Sequence, residues 1–113
     1  WLFVTLVAPV IIAPVVEEVY FRGALVRGIE RVVPATRPLA RLALPVAISS
    51  IVFALVHVVN VASPTELVVV GLSTLIFGTA ASCAALATGR IGAPIIAHIT
   101  FNGLVVVPMV LGF

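Results

Sequence analysis

Ala13-Pro14-Val15-Val16-Glu17-Glu18-Val19-Tyr20-Phe21-Arg22-Gly23 sets three charged side chains directly behind an apolar run reaching back to Trp1. Two of the four acidic residues in the 113-residue chain stand here side by side. Ionisable groups inside a membrane-type segment are costly, and where they persist they point by default to function. The rest of the chain reads as helices arranged around this cluster.

Composition sets the class. Hydrophobic residues make up 63% of the chain and charged ones 9%, with a mean hydropathy of +1.37, far outside the range of soluble domains. The expected fold is all-α, a polytopic transmembrane bundle of about four helices, forming one domain over residues 1–113. All six basic residues are arginine, and five of them fall between Arg22 and Arg41. A local basic run of this kind suits a cytoplasmic loop beside anionic headgroups rather than a nucleic-acid surface. The single Cys83 excludes an internal disulfide and a CxxC site. Because the chain starts at Trp1, we expect it to be a fragment lacking upstream helices.

The first segment runs from Trp1 to about Arg27, with Pro9 and Pro14 expected to bend it. The stretch Arg27 to Arg41 is read as a loop. Leu42 to Asn60 forms a second segment, and Asn60 to Thr65 a turn with Ser63 or Thr65 as helix N-cap. Glu66 to Thr88 is the third, in which Thr74, Gly78 and Ser82 recur every four residues and allow close helix approach. Gly89-Arg90 turns the chain into a fourth segment, Ile91 to Phe113. An antiparallel second and third segment put the Arg27–Arg41 loop and Arg90 at one end, which the positive-inside rule makes cytoplasmic.

Along helices rising ~1.5 Å per residue, Glu17 lies roughly 15 Å from Arg27 and His98 roughly 12 Å from Arg90. With membrane crossing taken to begin at Pro45, His57 lies roughly 18 Å in. All three then share one layer in the cytoplasmic half. Neighbouring helical residues are about 100° apart, so Glu17 and Glu18 are not expected to face one point. Glu18 and Arg22 have the i, i+4 spacing of an ion pair, leaving Glu17 without a local partner and free for general-base duty. Phe53 and His57 share a helix face, as do His98 and Asn102. Each such pair also reads as interhelical hydrogen-bonding glue. A Glu and two His on three apolar segments at one depth are the stronger signal.

The ordered set Glu17-Glu18-x-x-x-Arg22, Phe53-x-x-x-His57 and His98-x-x-x-Asn102 resembles the three motifs of the CPBP intramembrane proteases. That family includes the Rce1-like CAAX prenyl endopeptidases and the Abi bacteriocin-processing and immunity proteins. Ile91-Gly92-Ala93-Pro94-Ile95-Ile96-Ala97, leading into His98, is similar too. The resemblance implies an intramembrane endopeptidase acting on membrane-associated peptides or proteins. In it Glu17 activates water with help from His57, His98 and Asn102 stabilise the oxyanion, and Glu18, Arg22 and Phe53 give structural support. Peptide hydrolysis needs such a base and such preorganised donors.

The family was first described as metalloproteases, and Glu17, His57 and His98 suit a zinc with one open position. The chain has no HExxH and Asn is a poor zinc ligand, so the favoured expectation is no cofactor, with zinc the alternative. Arginine without lysine, with abundant Ala, Val and Gly, points to a GC-rich bacterial genome and a bacterial cell membrane. An aspartyl dyad is impossible within a chain that has no Asp, and no GxSxG elbow occurs. The competing readings are a non-catalytic immunity or scaffold protein of the same fold, and, more distantly, a transporter segment with a Glu/His ion path. The latter would more typically show an internal repeat, and none is evident.

Overall fold

A computed structural model describes residues 1–112, and four helices account for nearly all of them. They are α1 (Phe3–Val32), α2 (Pro38–Val58), α3 (Pro64–Thr88) and α4 (Gly92–Leu111), each long and apolar enough to cross a membrane. No strand occurs among the described residues. The protein is an integral membrane protein with an all-α fold.

Local chemistry explains the ends. Val33 is extended, as a residue before proline prefers, and this stops α1 ahead of Pro34. Pro38 opens α2 with a preset φ. Ser63 caps α3 by accepting the Glu66 N–H at 3.2 Å, with Pro64 next in line, so Ser63 and not Thr65 is the cap. Gly89, at φ 70°, ends α3 in the left-handed conformation that glycine adopts without strain.

Two boundaries differ from the sequence reading. The Arg27–Arg41 stretch is mostly helical: α1 continues to Val32, α2 begins at Pro38, and only residues 33–37 connect them. Arg27 is held in the helix by Glu30 at 3.2 Å and reaches across to the Ala85 carbonyl at 2.8 Å. Pro45, taken as the start of the membrane crossing, lies inside α2 rather than at its start. It is buried there, and His57 stands in the last turn, roughly 28 Å along the helix from Pro38. The Arg27–Ala85 bond does put the two arginine-bearing connections at one end of the bundle.

Along α1 the backbone is not uniform. Bonding is of the wider i→i+5 kind over Phe3–Ile12 and Val19–Val26, with ordinary helix over Ala13–Glu18 between them. The two prolines that lack an N–H, Pro9 and Pro14, lie in or beside the first of these stretches.

Burial is inverted relative to a soluble protein. Ile, Leu and Val side chains cover the outside, whereas Glu18, Arg22, Ser49, Ser50, Thr74, Ser82 and His98 are buried. Small residues bring α2 and α3 together, and the expected Thr74, Gly78 and Ser82 all face inward, with Ala81 and Ala85. Among the glycines the tightest surroundings are at Gly78, where an added Cβ would lie 3.2 Å from the Ser50 Cα and 3.4 Å from the Arg22 Nη2. Gly78→Val is therefore expected to cost about 1–3 kcal/mol through overpacking. Thermal unfolding in detergent checks this, and an unchanged Tm would mean that α2 and α3 do not approach so closely.

Candidate active site

Three helices converge near the middle of α3. From α1 come Glu17, Glu18 and Arg22; from α2, Phe53 and His57; from α4, His98 and Asn102. The sequence pairing of Glu18 with Arg22 is present, at 2.9 Å and with both side chains fully buried. Arg22 also donates from Nη2 to the Gly78 carbonyl at 3.2 Å, and its guanidinium lies 4.5 Å from the centroid of the Phe53 ring. An arginine keeps its charge under these conditions. Its attraction to a desolvated aromatic face is worth about 2 kcal/mol.

Glu18 does more than neutralise Arg22. The same oxygen, Oε1, lies 2.8 Å from His98 Nδ1. The His98 ring also has Nε2 at 3.8 Å from Glu17 Oε2. Both carboxylates therefore reach one imidazole, which corrects the expectation that helical geometry keeps them from a common point. Consecutive glutamates diverge at Cα, but their side chains are long enough to reach the two separate nitrogens of one ring. Glu18 thereby orients His98, as a bond at one ring nitrogen decides what the other presents.

Glu17 is one-third exposed, and its Oε2 is buried without a hydrogen-bond partner. His57 Nε2 stands 3.7 Å from that oxygen. His57 Nδ1 bonds the Phe53 carbonyl at 2.8 Å, so Nε2 is the nitrogen turned to the carboxylate. Beside these groups is a cavity of about 30 Å³ lined by Phe53, His57, Thr74, Phe77, His98, Phe101 and Asn102. It has room for a water molecule. Asn102 donates one amide hydrogen to the Pro9 carbonyl at 2.9 Å and retains a second.

Glu17, His57 and His98 each offer a ligand atom, all within 4.8 Å of one another. Two imidazoles and a carboxylate form a donor set known for catalytic zinc, and the Glu18 contact at Nδ1 is the kind that supports a metal-bound histidine. The residues present therefore fit the ion.

The family model for type II CAAX prenyl endopeptidases, Rce1-like, matches residues 1–104. The chain belongs to the Rce1-like family. No curated protein and no solved structure matches it. As an Rce1-like protein it is a membrane-embedded protease, a hydrolase with peptide or protein substrates in a bilayer setting. The cluster in this Rce1-like protein also draws on residues that the sequence motifs do not name. Phe77 packs its ring 4.8 Å from that of His98, and the Gly78 carbonyl accepts from Arg22. Gly78 stood out only as one of a stripe of small residues. A backbone acceptor is independent of residue type and leaves no sequence signal.

Glu18→Ala leaves Arg22 charged in a buried site and is expected to cost about 3–5 kcal/mol. The double variant Glu18→Ala/Arg22→Met removes both charges and should recover most of that loss. Tm values of both variants in detergent measure the difference; equal losses would mean that the charge is not what matters.

Proposed function

We propose that this Rce1-like protein is an intramembrane endopeptidase in which Glu17 activates the hydrolytic water without a metal. The observation that carries the reading is the buried, unpartnered Glu17 Oε2 with an imidazole Nε2 from each of two other helices 3.7 and 3.8 Å away. Those separations exceed a direct hydrogen bond and suit a bridging water. Glu17 takes the water proton as hydroxide attacks the scissile carbonyl, with His57 Nε2 orienting the water. His98 donates to the oxyanion from Nε2 as the doubly protonated ring, its Nδ1–H held by Glu18. The free amide hydrogen of Asn102 is the second donor. Glu17 then returns the proton to the leaving amine.

The family favours CAAX-type substrates, with bacteriocin-type processing as the neighbouring possibility. We assign the arginine-bearing end to the cytoplasm of a bacterial cell, and with it the site, whose Glu17 and His98 lie roughly 15 and 12 Å along their helices from Arg27 and Arg90.

Peptides released from membranes carrying wild-type or Glu17→Ala protein, profiled by mass spectrometry, test catalysis and identify the substrate together. Glu17→Ala and His57→Ala are expected to abolish product formation with membrane insertion intact, and Asn102→Ala to slow it by about 10²–10³. Identical peptide profiles for wild type and Glu17→Ala would sink the assignment and favour a non-catalytic role.

The zinc reading has its own support in the donor set of Glu17, His57 and His98. An ion held there would lower the proton affinity of a bound water and polarise the substrate carbonyl. On the metal-independent reading, cleavage persists after exhaustive chelation and elemental analysis finds no stoichiometric zinc. Loss of cleavage on chelation, restored by zinc, would replace it.

A further inference from the structure

The Asn102 side chain is tied to a point in α1 that a helix would ordinarily keep to itself. Within an α-helix the Pro9 carbonyl would accept from the Ala13 N–H, but that N–H bonds the Ala8 carbonyl instead. In the wider i→i+5 register the donor to Pro9 would be residue 14. That residue is a proline and has no N–H. The Pro9 carbonyl is therefore left over by its own helix. An orphan carbonyl within an apolar bundle is expensive, and a neighbouring helix must satisfy it. Asn102 Nδ2 does so at 2.9 Å.

We infer that Pro14 is a positioning residue, which by withholding an N–H reserves the Pro9 carbonyl for Asn102 and so fixes where the second Asn102 amide hydrogen points. Pro14 is fully buried, one turn before Glu17 and Glu18, so the helix that carries the carboxylates also aims the amide. An asparagine amide is planar, and holding one of its N–H bonds fixes the direction of the other. Asn102 lines a cavity together with His57 and His98, and the free hydrogen is the one available to a group bound there. The mobile alternative, an amide free to rotate, would have to be ordered anew in each catalytic cycle. This inference rests on the proposed role of Asn102 as an oxyanion donor, although the hydrogen bond itself does not.

The test has a spectroscopic arm and a kinetic arm. Asn60 and Asn102 are the only asparagines, so selective ¹⁵N-asparagine labelling gives two side-chain NH₂ pairs, and Asn102→Ala assigns them. In wild-type protein one Asn102 amide proton should be shifted and slow to exchange. Pro14→Ala supplies the missing N–H to the Pro9 carbonyl, and the Asn102 proton should lose its protection. Pro14→Gly restores the same N–H with a different volume and should behave alike. An Asn102 pair that keeps its protection in folded Pro14→Ala and Pro14→Gly overturns the inference.

In the kinetic arm the probe is the peptide recovered by the membrane profiling. Pro14→Ala should lower kcat by up to about 10²-fold, the cost of misplacing a catalytic group by roughly 1 Å, with little change in KM or Tm. Pro14→Ala/Asn102→Ala should be no slower than Asn102→Ala alone. Independent, multiplying losses would overturn positioning through Asn102. An Asn102→Ala protein as fast as wild type, when the wild-type protein shows the protected proton, would instead overturn the oxyanion role and leave the hydrogen bond standing.

Discussion

A permanently charged guanidinium, Arg22, sits at the centre of a bundle whose outside is hydrocarbon. Nothing else in the molecule is as costly to leave unanswered. The surrounding structure can be followed outward from it. Glu18 supplies the countercharge, the Gly78 carbonyl accepts another of its hydrogens, and the Phe53 face covers it. Those partners come from three helices, α1, α3 and α2, so satisfying one residue fixes their mutual distance. Gly78 must be small for that carbonyl to come close, because a Cβ there would press on the Ser50 Cα of α2 and on the guanidinium itself.

Glu18 passes this constraint on to the reactive groups. Its Oε1 is shared between Arg22 and His98 Nδ1, so the pair that anchors the bundle also holds the fourth helix at the His98 ring. The other edge of that ring meets Glu17, which His57 approaches from α2. Each of the two adjacent glutamates keeps one unpartnered oxygen, but their surroundings differ: Glu18 is fully buried with its Oε1 shared by Arg22 and His98, whereas Glu17 is partly open and its Oε2 faces two imidazoles. A carboxylate that already satisfies two partners is poorly placed to take a proton from water. Its neighbour is well placed to do so.

The backbone of α1 is part of the same economy of donors and acceptors. Within a bilayer every carbonyl must find a partner, and prolines withdraw N–H groups from that supply. The deficit left at Pro9 is made good by Asn102, which links the first irregular stretch of α1 to α4. A distortion that would be a defect in water becomes here a contact between two helices at the site.

The sequence by itself determined that the chain is a bundle of apolar helices, which residues carry charge within it, and that Glu18 lies one turn from Arg22. These follow from composition and from fixed helical spacing, both of which are local. It also brought Glu17, His57, His98 and Asn102 into view as an ordered set, through resemblance to a family. The depth estimate that grouped them depended on where the chain enters the membrane, which helix ends alone do not fix; the structure brings His57 and His98 to Glu17 directly. Only the tertiary structure decided that both glutamates meet one histidine, that Gly78 and Pro9 contribute through their carbonyls, and that Asn102 spends one of its two hydrogens on α1. Side-chain reach and backbone acceptors depend on how helices are rotated and spaced against one another. Residue type and spacing along the chain carry no record of that.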